Sequence, residues 1–181
     1  GLAGMLEAVY AAERVVLCSS GTAALQLAIR VAAAHAGERG PVALPAYTCY
    51  DVAAAAIGAD TGPGLALFDV EPTGLAPDFD SLERVLRAGA RVVVVSPLYG
   101  IPVDWDAIQA LCDEHGAVLV EDAAQGHGAS WRGRPVGALG RISVLSFGRG
   151  KGWTGGKGGA LLLRGAVAAA DVVTAAQTAT T

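Results

Sequence analysis

The sequence alternates short, β-branched apolar runs with Ala- and Leu-rich segments of helical periodicity, and this alternation constrains the fold more than any other feature. The pattern predicts strands at 15–17, 42–44, 65–68, 91–96, 117–120, 142–147 and 160–163, and helices at 22–34, 52–57, 79–86 and 105–115. Such a rhythm predicts a three-layer α/β/α fold with a mixed, mostly parallel sheet. Because the strand runs are apolar throughout, we expect helices to cover both faces of the sheet.

The composition limits the classes of function that this fold can serve. With 181 residues, 52% of them hydrophobic, the chain is long enough for one domain with a substantial core. A net charge of −4 argues against a nucleic-acid partner, and no apolar stretch reaches the ~18–20 residues of a membrane span. The three cysteines form no C-x-x-C pair, which predicts a reducing, cytoplasmic location. The three histidines lack metal-ligand spacing, so no metal site is predicted.

Polar residues follow several predicted strands, at the positions where ligands bind in open α/β sheets. Ser20, Gly21 and Thr22 lie between a strand and a helix, and the free N–H groups of a helix start can bind an anion. An ordinary N-cap is the alternative interpretation. Asp122 follows another strand, where a carboxylate can stabilise a protonated heteroaromatic nitrogen. A capping residue or a Mg²⁺ ligand are the alternatives there.

The chain has 13 basic residues, yet its only lysines, Lys151 and Lys157, both lie in the Gly-rich stretch 146–159. Lys151 comes five residues after Ser146, at the end of a predicted strand. A partly desolvated lysine amine can form a Schiff base, although a mobile surface loop or a phosphate contact also fits. Together, the helix start, Asp122 and Lys151 supply what a pyridoxal phosphate (PLP) site needs: a phosphate cradle, an anion at the pyridine nitrogen and a Schiff-base lysine.

Further stretches match a known protein family, in family order along most of the chain. They include 20–25, 44–48, 68–70, 98–100, 102–108, 120–125, 127–129, 137–140, 146–147 and 158–159. The sequence thereby resembles the DegT/DnrJ/EryC1/StrS sugar aminotransferases, which have the aspartate-aminotransferase fold (fold type I). The resemblance implies a PLP enzyme that moves an amino group, usually from glutamate, to a nucleotide-linked keto sugar or a related cyclic ketone. It also implies small-molecule substrates and a homodimer whose sites borrow residues from the partner.

The resemblance also implies a set of cofactor-binding residues. The set is Gly21, Thr22, Ala23, Cys49, Asp122, Gln125, Ser146 and Lys151. Within it, Lys151 and Asp122 are the catalytic residues, because the lysine forms the Schiff base and moves the proton while the carboxylate pairs with the pyridine nitrogen. Gln125 lies near the ring oxygen, and the phosphate is held by Gly21, Thr22 and Ser146. His127 occupies a common family position, which we interpret as structural.

Departures from the family pattern leave several questions open. Cys49 stands where an aromatic residue usually stacks on the cofactor, so either Tyr47 or Tyr50 supplies the ring or the stacking is weaker. Lys157 replaces an acidic or polar residue, and both a phosphate contact and a solvated loop lysine fit that position. Because the family carries a C-terminal small domain, the length predicts that residues 1–181 form the PLP-binding large domain alone, with a terminal helix over 165–181.

Other classes of function stay open on the sequence. A catalytically incomplete remnant that binds PLP or a sugar, or an assembly subunit that completes another chain, agrees with a missing small domain. A Rossmann-like nucleotide-binding domain is a weaker alternative, because the chain has neither a G-x-G-x-x-G fingerprint nor a Walker A loop. A dehydratase of the same cofactor class usually replaces the lysine by histidine, so Lys151 argues against it. The leading hypothesis is therefore an aminotransferase.

Overall fold

The computed structural model describes residues 1–169, which are built around a seven-stranded sheet of order β1-β9-β8-β5-β4-β2-β3. Its strands are β1 Arg14–Cys18, β2 Val42–Pro45, β3 Leu65–Phe68, β4 Val92–Val95, β5 Val118–Asp122, β8 Ile142–Ser146 and β9 Gly159–Leu163. Strands β6 (Ser130–Trp131) and β7 (Arg134–Pro135) form a separate hairpin. Within the large sheet β9 runs against the others, since it pairs antiparallel with both β1 and β8. The predicted mixed, mostly parallel sheet is confirmed.

The α-helices of the described residues are α1 Leu2–Tyr10, α2 Gly21–Ala36, α3 Tyr50–Ala59, α4 Phe79–Arg87 and α5 Trp105–Glu114. The four helices predicted at 22–34, 52–57, 79–86 and 105–115 are present, with bounds close to those expected. Side-chain caps define three of the starts: Ser20 accepts a hydrogen bond from the Ala23 N–H at 3.0 Å, Asp78 from the Ser81 N–H at 2.7 Å and Asp104 from the Ala107 N–H at 3.2 Å. Helix α1 was not predicted.

The helices form two layers, one on each face of the sheet. Helices α1, α4 and α5 contribute to one hydrophobic cluster, and helices α2 and α3 contribute to the other. In strand β4, Val93 and Val95 pack into the first cluster, whereas Val92 and Val94 pack into the second. The middle strands are therefore buried on both faces, and the expected three-layer α/β/α architecture is confirmed.

The periphery of the fold differs from the expected pattern in two places. The helices do not fully cover the sheet edges, where Leu17 of β1 and Leu67 of β3 are 51% and 61% exposed. The helix expected over 165–181 does not begin as an α-helix, since Gly165–Ala168 forms a 3-10 turn. Gly165 has a left-handed φ of 67°, which interrupts right-handed helix geometry.

The remainder of that expected helix, from residue 170 onward, lies outside the described residues. That residues 1–181 make up one large domain stays a prediction. Within residues 1–169, no helix combines the length and the apolar character needed to cross a membrane.

Candidate active site

The carboxyl ends of β1, β2, β4, β5 and β8 meet at one edge of the sheet, where the loops that follow them surround a cavity of about 450 Å³. Strand β9 runs the other way, so its amino end arrives at the same edge. The polar and charged residues of the lining include Ser20, Thr22, Thr48, Cys49, Asp51, Ser96, Asp122, Gln125, Ser146, Arg149, Lys151 and Lys157. The cavity has the size of sites that bind a cofactor or a small substrate, roughly 300–1,000 Å³.

Lys151 reaches this cavity from the loop 147–158, which joins the antiparallel strands β8 and β9. Two hydrogen bonds of 2.9 Å close the base of the loop: the Phe147 N–H donates to the Gly158 carbonyl, and the Gly155 N–H donates to the Phe147 carbonyl. The Lys151 N–H donates to the Gly148 carbonyl at 3.2 Å, which forms a tight turn. Lys151 is half-buried in this position. The turn therefore holds the backbone of the lysine at the cavity wall.

Asp122, the last residue of β5, lines the same cavity and is 8% exposed. Its carboxylate accepts hydrogen bonds from the Ser96 hydroxyl at 3.0 Å and from the Ala124 N–H at 3.2 Å. Burial raises the pKa of Asp122, whereas those two bonds and the charge of Lys151 lower it. A cationic partner in the cavity would favour the ionised carboxylate further. For the alternative metal role, residues 1–169 contain no cluster of three or more His, Cys, Asp or Glu side chains that could hold a metal ion.

The start of helix α2 packs directly on the end of strand β8. Ser20 is the N-cap, since its hydroxyl accepts a hydrogen bond from the Ala23 N–H at 3.0 Å. Gly21 and Thr22 line the cavity, whereas Ala23 is not part of the lining. A Cβ on residue 21 would lie 2.7 Å from both Cβ and Oγ of Ser146, so only glycine allows this approach. The helix N-terminus and the Ser146 hydroxyl thus form one wall, which suits an anion.

Gln125 is held in the lining by the loop that follows β4. Its side-chain carbonyl accepts a hydrogen bond from the Tyr99 N–H at 3.0 Å. Tyr99 lies in the 3-10 turn Leu98–Gly100 with a φ of 55°. Because the carbonyl is used, the amide NH₂ remains as the donor of this side chain. An amide donor suits an acceptor such as the ring oxygen of the cofactor.

Cys49 lines the cavity, and its neighbouring tyrosines do not. Tyr47 and Tyr50 are 54% and 81% exposed, and the Tyr47 hydroxyl lies 3.4 Å from that of Tyr99. Of the options left open by the sequence, the structure therefore places the sulfur at the cavity rather than a tyrosine ring. Beside it, Thr48 Oγ1 is buried without a hydrogen-bond partner within the described residues. A ligand in the cavity could satisfy such a hydroxyl.

The sequence analysis assigned no role to several polar lining residues, among them Thr48, Asp51, Ser96 and Arg149. Thr48 and Ser96 come after strands β2 and β4, so the same strand-end rule that singled out Asp122 could have found them. Arg149 precedes Lys151 by two residues and is exposed, and nothing in the pattern separates it from an ordinary loop arginine.

The sequence model of the DegT/DnrJ/EryC1/StrS aminotransferase family matches residues 2–175. The chain belongs to this family. The resemblance that the sequence suggested is therefore confirmed.

Curated relatives of the chain include two aminotransferases from Streptomyces species. The L-glutamine:2-deoxy-scyllo-inosose aminotransferase of Streptomyces kanamyceticus is 36% identical over 144 residues, which make up 80% of this chain and 33% of that protein. The L-glutamine:scyllo-inosose aminotransferase of Streptomyces griseus is also 36% identical over 144 residues, with the same coverage of 80% and 33%. The chain spans about a third of the length of these curated relatives.

Solved structures of the family share the fold. DesV of S. venezuelae, in complex with a ketimine intermediate, superimposes with a TM-score of 0.82 at 30% identity and covers 98% of this chain and 46% of its own. The 3-amino-5-hydroxybenzoic acid synthase gives a TM-score of 0.82 at 28% identity, over 97% of this chain and 44% of its own. The fold is that of the type I PLP-dependent aminotransferases.

Pyridoxal 5′-phosphate is the cofactor of the DegT/DnrJ/EryC1/StrS family, and the described residues fit it. The wall formed by Gly21 and Ser146 has no room for a side chain but presents N–H and hydroxyl groups to a phosphate. Asp122 is a buried carboxylate, and Lys151 lies in the same lining. The unpartnered Thr48 hydroxyl is a further polar group that a ligand here would satisfy.

Proposed function

We propose that this chain is the cofactor-binding part of a PLP-dependent aminotransferase that transfers an amino group to a cyclic ketone or a keto sugar. The observation that carries the proposal is that Lys151, Asp122 and the start of α2 line one cavity of about 450 Å³. When bound, PLP supplies an electron sink for the carbon that gains or loses the amino group. The residues that line the cavity would bind and orient PLP and control the protons around it.

The catalytic roles follow from the chemistry of the two residues. Lys151 Nζ would hold the cofactor covalently and, once released, would carry a proton to or from the reacting carbon. The carboxylate of Asp122 would keep the pyridine nitrogen protonated, because a buried anion favours a cationic partner. Ser96 and Ala124 hold that carboxylate through their hydrogen bonds. The lysine cannot be replaced by arginine, because a guanidinium does not form a Schiff base.

The remaining predicted residues bind and orient the cofactor. Gly21, Thr22 and Ser146 would hold its phosphate at the N-terminus of α2, and the amide of Gln125 would donate to its ring oxygen. Cys49 would supply a polarisable sulfur beside the ring. Ala23 stays a prediction, and its N–H already donates a hydrogen bond to the capping hydroxyl of Ser20.

The names of the curated relatives support the cyclic-ketone branch of the acceptor proposal, since two of them are named for inososes. The same names give L-glutamine as the amino donor. We therefore place glutamine beside glutamate as the candidate donor, and a nucleotide-linked keto sugar remains the second acceptor class. These activities and substrates belong to the relatives, and for this chain they are proposals.

A homodimer is the proposed assembly. Leu2, Met5 and Val9 of α1 are 43%, 51% and 47% exposed, and together they leave apolar surface for a partner to cover. Light scattering of the purified chain is expected to give a species of twice the monomer mass. A strictly monomeric species at micromolar concentration would contradict the dimer.

A cytoplasmic location is proposed from the cysteines. Cys18, Cys49 and Cys112 are all free within the described residues, which suits a reducing compartment. Cell fractionation with a tagged chain is expected to recover it with cytoplasmic markers. Recovery in a membrane or exported fraction would contradict this location.

The two lysines provide a matched test of cofactor binding. Titration of the purified protein with PLP is expected to produce a visible absorbance band that Lys151→Ala abolishes and Lys157→Ala retains. Both variants remove one lysine from the same loop, so a general effect of charge would alter both. If the unmodified protein gives no band, the cofactor assignment is wrong; if Lys157→Ala alone loses the band, the wrong lysine was assigned.

Amino transfer requires a separate experiment. Glutamine or glutamate is expected to bleach the visible band, and a cyclic ketone such as scyllo-inosose or a nucleotide-linked keto sugar is expected to restore it. A band that neither donor bleaches would contradict aminotransfer and favour a cofactor-binding remnant. Which acceptor restores the band decides between the two substrate classes.

A further inference from the structure

An aromatic stack braces the loop that carries Lys151. The rings of His127 and Trp153 stack with centroids 5.3 Å apart and planes 15° from parallel. Tyr10 packs edge-on against Trp153 at 5.9 Å, and its hydroxyl lies 3.3 Å from Nδ1 of His127. The three rings come from helix α1, from the loop after β5 and from the loop after β8. The stack therefore ties the lysine loop to two other parts of the fold.

The backbone between Lys151 and Trp153 lies directly against His127. A Cβ on Gly152 would lie 2.5 Å from the His127 Cβ, so this approach requires glycine. Burial is the main cause that lowers the pKa of His127; the positive charge of Lys151 lowers it further, and the nearby Ser146 backbone opposes the shift. The charge of Lys151 therefore acts on His127, and the backbone of Gly152 packs against it.

Main-chain hydrogen bonds hold only part of the loop. They fix residue 147 and residues 151 and 155, whereas residues 152–154 make none within the described part of the chain. Gly148, Gly150 and Gly152 add to the conformational freedom of this segment, because glycine loses the most entropy on ordering. Side-chain contacts must supply the restraint that the backbone lacks, and the stack of Trp153 on His127 is such a contact.

We propose that His127 and Trp153 are positioning residues that keep the loop of Lys151 closed, so that its amine stays in the cavity. Tyr10 supports both rings from helix α1. Neither His127 nor Trp153 lines the cavity, so they act on the lysine through the loop and not through the cofactor. A catalytic benefit from holding the Lys151 amine in the cavity rests on the proposed function. Loop closure itself can be measured without any cofactor.

The scarcity of lysine provides a direct probe of loop closure. A lysine-specific endoproteinase can cut this chain only after Lys151 and Lys157. On the full chain without cofactor, Trp153→Ala and His127→Ala are expected to speed cleavage after Lys151 by roughly three- to tenfold, the change that loss of one aromatic pair produces. Trp153→Phe keeps a ring and is expected to cut at nearly the wild-type rate.

Trp131→Ala is the matched control, because it removes an indole from the β6–β7 hairpin, where the ring packs under Arg132 at 4.2 Å. It is expected to leave cleavage after Lys151 unchanged. If the larger truncations do not fold, Tyr10→Phe deletes a single hydroxyl and is expected to speed cleavage roughly two- to fivefold. The proposal is overturned if cleavage after Lys151 is unchanged in the stack variants, or if Trp131→Ala speeds it as much.

A spectroscopic readout separates positioning from simple stability. With PLP added, Trp153→Ala is expected to weaken cofactor binding and shift the pH midpoint of the visible band, and Trp153→Phe is expected to restore both. An unshifted midpoint in Trp153→Ala would overturn the positioning role. If the wild-type protein gives no band, the proposed function fails, but the cleavage rates still decide whether the stack closes the loop.

Discussion

The hydroxyl of Ser96, the residue after β4, donates a hydrogen bond of 3.0 Å to the carboxylate of Asp122 at the end of β5. Two adjacent strands therefore meet in one contact at the wall of the cavity. The bond lowers the pKa of Asp122 against the effect of burial. The Ser96 hydrogen bond thus favours the ionised form of a carboxylate whose pKa burial raises.

Replacing Ser96 by alanine is expected to weaken PLP binding. One hydrogen bond to a charged group is worth about 1.5–3 kcal/mol, so we expect an affinity loss of roughly tenfold or more. Titration of the visible band measures it. Ser130→Ala, at an exposed position in the β6–β7 hairpin, is the control and is expected to bind PLP normally. Equal affinities of the two variants would contradict a role for Ser96 at Asp122.

A methyl group at residue 21 is expected to separate helix α2 from strand β8. Because the new Cβ would lie 2.7 Å from the Ser146 side chain, Gly21→Ala must shift the helix start. Overpacking of this kind lowers the free energy of unfolding by about 1–3 kcal/mol. Here it also increases the distance between the start of α2 and Ser146, the proposed phosphate site. Urea unfolding and PLP titration measure the two effects.

Gly4→Ala is the matched control for that substitution. Its Cβ would meet only Oε2 of Glu7, at 4.0 Å, in helix α1. Alanine favours a helix by up to about 1 kcal/mol over glycine, so this variant is expected to be as stable as the wild type or more stable. If Gly21→Ala behaves in the same way, the close packing on Ser146 is not needed.

Glu121, the neighbour of Asp122, points into a different environment and has a structural role. It is fully buried, and it accepts hydrogen bonds from the backbone of Gly137 at 2.6 Å and Leu139 at 3.0 Å and from the Ser143 hydroxyl at 2.6 Å. Arg164 donates to the same Ser143 hydroxyl at 3.0 Å. Burial raises the pKa of Glu121, and the bonds it accepts lower it.

Glu121→Gln is expected to lower the free energy of unfolding by about 2–4 kcal/mol, because an amide NH₂ replaces an oxygen that faces N–H and O–H donors. Chemical unfolding measures the loss. Glu83→Gln breaks only a surface pair with Arg87 and is expected to cost less than about 0.5 kcal/mol. A cost for Glu121→Gln as small as that of Glu83→Gln would refute the network.

His127 is expected to make stability depend on pH. Its folded pKa lies below the ordinary value of 6.5, chiefly because of burial, so near that pH the unfolded chain binds more protons than the folded one. Stability is therefore full above about 6.5 and declines as the pH falls through 6.5 towards the folded pKa. In His127→Phe, the free energy of unfolding measured between pH 8 and 5 is expected to lack this pH-dependent component. A histidine NMR titration with a midpoint above 6.5 would contradict the sign.

The sequence predicted those parts of the fold and site that depend on local pattern. Apolar runs identify the central strands, and helical periodicity identifies α2 to α5, of which α2, α4 and α5 also have side-chain caps. Asp122 and Lys151 were singled out because few other residue types can perform the chemistry proposed for them. Ser96 carries no such signal, because a serine after a strand is common.

The local sequence pattern could not predict contacts between distant segments. The Tyr10–His127 contact joins residues 117 positions apart, and its partner Trp153 stands in a glycine-rich loop without periodicity. The close approaches at Gly21 and Gly152 likewise depend on how elements pack, so the sequence supplies the glycine without the reason for it.

The reversed direction of β9 has a consequence for how such a site can diversify. Ser146 pairs with Gly159 across β8 and β9, so the whole segment between them is anchored at both ends to adjacent central strands. Its length and composition can change while the strand register and the core stay as they are. The segment that carries Lys151 can therefore be exchanged as a unit. Grafting the corresponding segment of another family member between residues 146 and 159 would change how far the lysine extends into the cavity and leave the sheet unchanged.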